Sequence, residues 1–387
     1  MSQRAHFALA IVLIAVFSVS IIATIEWLGS VHSDPDFFVG VEFAYSDDIN
    51  DLKDLVDKVK NYTNLFVIGA LEISFNQTVL NEACDYVKAS GLHLIVFFTD
   101  SMKYNYTIVE DSQIYNYTIF DWMVEAKQKY GDLFLGVYRY DEPGGNQLDQ
   151  GPYRMAENAT NYTDVAATYV KGLRIHIDYY LNYAPRMFTA DYGLYWFDYK
   201  AGYDAVFAEF GWNHSRQLHM ALCRGAATAQ NRDWGVIVTW TYNCTPYIQS
   251  GDELYRDLKL AYDAGAKYAV VFDYPKIEQY GILTEEHFEA IKDFWNYVRS
   301  NPQNFGVNEG KVAYVLPQDY GFGFRNPEDK IWGLWNADAF SQKVWDDTNK
   351  LIDRYDSRLD IVYDDAEVMD AVKSRYNELF FWNHPVS

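Results

Sequence analysis

Between residues 37 and 272 eight short apolar runs recur, each followed by a segment of helical periodicity. They fall at 37–43, 65–70, 92–98, 133–140, 187–190, 205–210, 235–240 and 268–272. Runs this continuous need cover on both faces of a sheet, because on a half-wet sheet every second apolar side chain would sit in water. The segments at 49–59, 79–89, 119–130, 163–181, 217–230, 252–264 and 284–298 place apolar residues three and four apart, the stripe of a helix lying on a sheet. Strand and helix in alternation imply parallel pairing, and eight repeats within about 270 residues predict a (β/α)8 barrel rather than an open sheet. The fifth unit is the least regular, since 192–202 is short and aromatic.

A second unit begins near Lys311, with strands at 312–316, 359–363 and 379–382 and helices at 337–355 and 366–376, a small three-layer α/β lobe. The expected organisation is residues 1–29 as a membrane anchor or signal, 34–305 as the barrel and 310–387 as the lobe. The loop after the first lobe strand carries Gly321 and Gly323 around an aromatic, but it lacks G-x-G-x-x-G and opens with Asp319, which argues against a phosphate site. Its aromatics Tyr320 and Phe322, with Trp332 and Trp335 further on, are expected to touch the barrel mouth.

Barrels of this type carry their active sites at the C-terminal ends of the strands. Here the fourth strand ends Tyr138-Arg139-Tyr140-Asp141-Glu142-Pro143-Gly144-Gly145, two adjacent carboxylates followed by a chain breaker. Glu42 follows the first strand, Asp100 the third, Asp191 the fifth and Asp273 the eighth; Glu209 lies in the sixth, and Trp240 with Tyr242 closes the seventh. Carboxyls ringed by flat aromatic faces are what cleavage of a glycosidic bond requires: a held proton for the leaving oxygen, a charge facing the cationic centre, and rings for the sugar to stack on. Asp141, Glu142 and Glu209 are the candidate catalytic groups. Glu42, Tyr140, Asp191, Trp212, Trp240, Tyr242 and Asp273 are candidate substrate contacts. The alternative for any one carboxylate is a solubilising role or an ion pair with Arg139 or Arg186.

The fourth-strand ending Tyr140-Asp141-Glu142-Pro143 resembles the Asn-Glu-Pro or Asp-Glu-Pro ending of (β/α)8 glycoside hydrolases. The Asp-Glu form is similar to families of the β-N-acetylhexosaminidase type, and this resemblance implies Glu142 as general acid, with Asp141 polarising a substrate acetamido group that serves as nucleophile. The retaining clan with the Asn-Glu form carries a nucleophilic Glu on strand seven, where this chain has Thr239-Trp240-Thr241-Tyr242. The resemblance thus leaves two schemes, substrate assistance through Asp141 or a second carboxylate at Glu209. The lobe resembles the Rossmann-like accessory domains that follow the barrel in some β-galactosidase-like hydrolases.

Residues 7–24 are almost uninterruptedly apolar, preceded by Arg4 and His6 and followed by Trp27. Eighteen helical residues span about 27 Å, close to a bilayer core, and the exit 22–27 is a poor cleavage site, so an uncleaved anchor is favoured over a signal peptide. Eight Asn-x-Ser/Thr sequons, at Asn61, Asn76, Asn105, Asn116, Asn158, Asn161, Asn213 and Asn243, also point to export. The expected location is the cell surface, with the folded part outside. A net charge of −22 argues against nucleic acid or phosphorylated partners and for neutral glycans. Three cysteines allow one bridge, for which Cys223–Cys244 is conceivable. Without H-E-x-x-H, G-x-S-x-G or a Walker loop, neither cofactor nor metal is expected, and His214 and His219 read as surface residues. The competing function is a non-catalytic barrel that binds glycans or serves the envelope structurally, since a barrel alone fixes no activity.

Overall fold

A computed structural model describes residues 37–99, 106–110, 113–117 and 119–386. The apolar segment 7–24, Asp100 and Asn105 lie outside the described residues. From Phe38 onward the chain forms one compact unit.

Eight parallel strands close into a barrel: β1 (Phe38–Phe43), β2 (Leu65–Ile68), β3 (His93–Phe98), β4 (Phe134–Arg139), β5 (Met187–Asp191), β6 (Ala205–Phe210), β7 (Asp233–Val238) and β8 (Tyr268–Asp273), with β8 pairing back onto β1. Among the described residues no helix is long and apolar enough to cross a membrane. The fifth unit does form a helix, Tyr195–Ala201, almost wholly buried, which is why its sequence lacks a polar stripe. Two features were not legible as elements: an antiparallel hairpin, Tyr106–Glu110 with Gln113–Tyr117, and a short helix, Pro143–Leu148, directly after β4. Asp48 caps the first helix, Ile49–Val59, its carboxylate accepting from the Asn50 N–H at 2.8 Å.

Side chains alternate between the barrel axis and the helix layer with a period of two. Ala205 and Phe207 of β6 belong to the axial core, so Glu209 is the next axial position. Phe38 sets the same parity in β1 and puts Glu42 on the axis. In β5, Phe188 and Ala190 face inward and turn Asp191 outward; in β8, Tyr268, Val270 and Phe272 do the same to Asp273. This parity decides which carboxyls can meet.

The lobe is a parallel sheet of β9 (Val312–Leu316), β10 (Leu359–Tyr363) and β11 (Glu378–Phe381), in the order β10-β9-β11. One face carries the helix Ala339–Tyr355; the other is covered by the barrel's own helix Arg216–Ala229, which packs between β6 and β10. Contact is close enough that a Cβ on Gly225 would stand 2.3 Å from the Ile361 carbonyl oxygen. Arg224 on the same helix pairs with Asp360 at 2.7 Å, both side chains buried, and also donates to the Ser357 and Leu359 carbonyls. The three thiols are free: Cys84 and Cys223 are buried and Cys244 is exposed, so the conceivable Cys223–Cys244 bridge is not formed. Cys223 instead turns toward the Val206 carbonyl under β6.

Candidate active site

Strand parity and the break after β4 bring Glu42, Asp141, Glu142 and Glu209 around one cavity of about 80 Å³ at the C-terminal end of the barrel. Tyr138, Ala190, Ile237, Thr239 and Phe272 complete its walls. Asp141 and Glu142 also line a cleft of about 670 Å³ that opens alongside, walled by Leu71, Phe75, Phe97, Tyr140 and Tyr153. These two adjacent residues are therefore the partition between a small inner niche and a wide outer cleft. A larger groove of about 710 Å³ runs between the outer helices Gly251–Asp263 and Glu285–Ser300, but it is lined by Asp252, Glu286, Glu289 and Asp293 and contains none of the strand-end residues.

The backbone at the partition is held in an unusual form. Tyr140 has φ 62° and Glu142 φ 48°, ψ 52°, left-handed conformations that cost an L-residue of order 1–3 kcal/mol. Leu194 and Trp212, in the loops after β5 and β6, are likewise left-handed. At Glu142 the result is a side chain aimed back across the mouth toward Glu209.

Glu142 and Glu209 are hydrogen-bonded to each other. Burial and the neighbouring Asp141 and Asp191 push the Glu142 carboxyl up to about 8, with Glu209 opposing the rise. Glu209, only 6% exposed, is pushed well above the usual carboxyl range by burial first and then by Glu142 and Asp141. Glu42 is buried as well and is raised to about 8 by desolvation and by Asp141. Asp141 stands on the open lip of the cleft. Burial raises its carboxyl too, and the Tyr138 O–H, which donates to Oδ1, offsets part of that rise. The arrangement thus sets Glu142, its carboxyl held up to about 8, beside Asp141, whose carboxyl accepts the Tyr138 hydroxyl, on one wall. The groups that act on Glu209 are other carboxyls, not the arginines considered from sequence. Arg139 packs against Tyr180 and donates to the Phe98 carbonyl, and Arg186 engages Asp233 and the Tyr268 hydroxyl.

The remaining sequence candidates sit elsewhere around the mouth. Asp191, turned outward by strand parity, lies under the partition and accepts N–H groups from Gly144, Gly145, Tyr192 and Gly193. Asp273 accepts from Ile282 N at 2.7 Å and anchors the loop after β8. Tyr140 lines the outer cleft, its hydroxyl donating to the Tyr153 carbonyl at 2.5 Å. Trp240 stacks on Tyr274 with centroids 6.1 Å apart and meets Trp212 edge-on at 6.3 Å, forming an aromatic rim after β6, β7 and β8; Tyr242 is exposed nearby in the loop after β7.

Several contributors were not singled out from sequence. Thr239 fills the strand-seven position in the niche, and Tyr138 lies one full strand period inside the acidic pair; axial parity would have found both. Tyr192 lies so close over the turn that a Cβ on Gly145 would stand 2.1 Å from its ring, and its hydroxyl donates to Asp149 at 2.7 Å. The lobe reaches the same turn: Gln147 donates to the Trp332 carbonyl at 3.1 Å, and Trp332 packs on Phe197 at 4.4 Å. His219, expected at the surface, is buried, its Nδ1 2.8 Å from the Tyr195 hydroxyl, and it stacks on His214 at 4.9 Å. Among the described residues no group of three or more His, Cys, Asp or Glu side chains has the geometry to hold a metal ion.

Fold and site together define a (β/α)8-barrel protein with a carboxyl cluster at the C-terminal mouth of its strands. Its fold is similar to that of α-L-fucosidase isoenzyme 2 from Paenibacillus thiaminolyticus, with a TM-score of 0.50 at 10% identity over 89% of this chain. The chain spans 59% of that fucosidase. Also similar are the pneumococcal virulence factor StrH (TM-score 0.43, 11% identity, 70% of this chain and 85% of that one) and a β-glucanase from Saccharophagus degradans (0.41, 16%, 68% and 88%). No protein-family model and no curated protein sequence matches the chain.

Proposed function

We propose that the protein is a cell-surface glycoside hydrolase acting on neutral glycans, with Glu142 as the general acid. One observation carries this reading: Glu142, its carboxyl held up to about 8, and Asp141, which accepts the Tyr138 hydroxyl, share the wall between a small niche and a wide cleft of about 670 Å³. The β-N-acetylhexosaminidase-type and β-galactosidase-like resemblances of the acidic pair and the lobe agree with it. In this scheme the glycan lies in the outer cleft and the aromatic rim offers faces for stacking. Glu142 gives its proton to the glycosidic oxygen as the C–O bond breaks. Asp141 faces the positive charge that develops at the anomeric carbon, directly or through an acetamido group.

Glu209 is less suited to act as nucleophile than its strand position suggested. Carboxyls in hydrogen-bond contact are nearer than the roughly 5–5.5 Å or 6.5–9.5 Å at which two carboxyls flank a sugar. Glu209 instead serves Glu142, holding its carboxyl in place. The deciding experiment is turnover of a glycan panel by the wild type and by Glu142→Gln. Hydrolysis by wild type and loss in the variant support the enzyme; binding without turnover in both supports a glycan-binding barrel. The surface location rests on the apolar segment 7–24 and the sequons, five of which, Asn61, Asn158, Asn161, Asn213 and Asn243, carry exposed side chains. Fractionation of native cells and mass spectrometry of those asparagines test it, and a native N-terminus near Ser30 would mean a cleaved signal instead of an anchor.

A further inference from the structure

Behind the partition, on the helix side of β5, two fully buried carboxyls meet. Asp191 accepts from the N–H groups of Gly145 at 2.9 Å, Tyr192 at 2.7 Å and Gly193 at 3.2 Å, and from Gly144. Asp198, on the helix Tyr195–Ala201, accepts the Tyr169 hydroxyl at Oδ1, 2.6 Å away. Its Oδ2 is buried with no donor, and its carboxyl is hydrogen-bonded to that of Asp191. Two ionised carboxylates in contact would repel, so the contact holds one proton. The charge belongs on Asp191, where four N–H groups point at it, and the proton on Asp198 Oδ2, which has nothing else to bond.

The turn that Asp191 grips is the one that aims Glu142. Pro143 has no N–H, so Gly144 and Gly145 offer the first donors after the left-handed Glu142. A Cβ on Gly144 would stand 2.7 Å from Asp191 Oδ2, leaving the carboxylate no second seat. We propose that Asp198 is a positioning residue: it donates a proton-borne hydrogen bond to Asp191, which in turn fixes the Glu142–Gly145 turn for proton transfer. This rests on Glu142 being the general acid, but the positioning itself can be read without any substrate.

The test uses the full chain with Asp198→Asn and Asp198→Leu. Asparagine keeps both contacts, its amide N–H donating to Asp191 and its oxygen accepting from Tyr169; leucine keeps neither. Backbone amide exchange over residues 142–148 is expected within about threefold of wild type for Asn and at least about tenfold faster for Leu. On an aryl glycoside, Asp198→Leu is expected to lower kcat about tenfold or more with KM within about threefold, and Asn to restore it. Unchanged exchange in the Leu variant, or an Asn variant as impaired as Leu, overturns the proposal. If Asp198→Leu does not fold, Tyr169→Phe, which removes the O–H at Oδ1, takes its place with the same expected direction. Should wild type hydrolyse no glycoside, the Glu142 reading fails while the exchange measurement still decides the role of Asp198.

Discussion

Glu142 is the proposed general acid because three local facts converge on it: a left-handed backbone, a hydrogen-bonded carboxyl neighbour and an open cleft on one side. Glu142→Gln keeps shape and polarity but has no proton to transfer. Steady-state kinetics on a substrate with a poor leaving group should show a loss of about two orders of magnitude or more in kcat, and an activated aryl glycoside should recover much of it. Since the Glu142 carboxyl is held up to about 8, the proton needed for catalysis is present at neutral pH and leaves as pH rises. The kcat profile should therefore fall on its alkaline limb near pH 8; a limb near pH 5 would contradict the assignment. Asp141→Asn separates the two charge-stabilising schemes. Under substrate assistance it should be nearly as damaging as Glu142→Gln, with only 2-acetamido sugars reacting. A severe Glu209→Gln defect on plain hexosides, with Asp141→Asn tolerated, would restore Glu209 as nucleophile.

At the scale of elements, the short helix Pro143–Leu148 links the strand-four turn to the lobe. Gln147 is fully buried, its amide donating to the Ala156 and Trp332 carbonyls while its oxygen accepts from Ala156 N at 2.9 Å. Gln150 donates to the Gly333 carbonyl, and Arg325 pairs with Asp149. The lobe loop thus clamps the element on which Glu142 is mounted. Gln147→Ala strands buried backbone groups and should cost about 1–3 kcal/mol in a denaturant titration, with a fall in kcat larger than any change in KM. Full stability with normal kcat would mean that the clamp has no role in catalysis.

The whole molecule carries an unusual load of proton-holding carboxyls. Glu42, Glu142 and Asp273 are raised to about 8 and Asp198 well above the usual carboxyl range, each by burial first. In the unfolded chain the same groups ionise near 4, so between about pH 4 and 8 the folded state binds more protons. Their contribution to stability is complete below about pH 4 and is lost as pH rises through about 8. Asp51, Asp57, Glu253 and Glu309, lowered by ion-pair or capping partners, act oppositely and lose their contribution only in stronger acid. Thermal unfolding should therefore show a higher Tm at mildly acidic pH than at pH 9; a Tm that climbs with pH would refute the protonated cluster. Barrel and lobe should also unfold together, because Arg224 crosses between them. Removing it leaves the buried Asp360 without its counter-ion, held only by the Tyr376 hydroxyl, and Arg224→Ala should cost about 3–5 kcal/mol.

The barrel was legible because eight continuous apolar runs separated by amphipathic helices have few ways to hide both faces, and that constraint is local and repeated. The acidic pair Asp141-Glu142 was legible because Pro143-Gly144-Gly145 stops the strand beside it. Parity within each run also carried, in sequence, the separation of Glu42 and Glu209 from Asp191 and Asp273, since Phe207 and Ala190 already define the inward face. Tertiary structure alone decided the rest. The left-handed turn at Glu142 exists because Asp191, Tyr192 and the lobe loop hold it from three directions, all distant along the chain. The Glu142–Glu209 contact, the burial of His219 and the burial of the helix carrying Arg224 likewise depend on what packs against them. Local pattern specifies which face of an element is buried; only assembly specifies which charged groups end up sharing a proton.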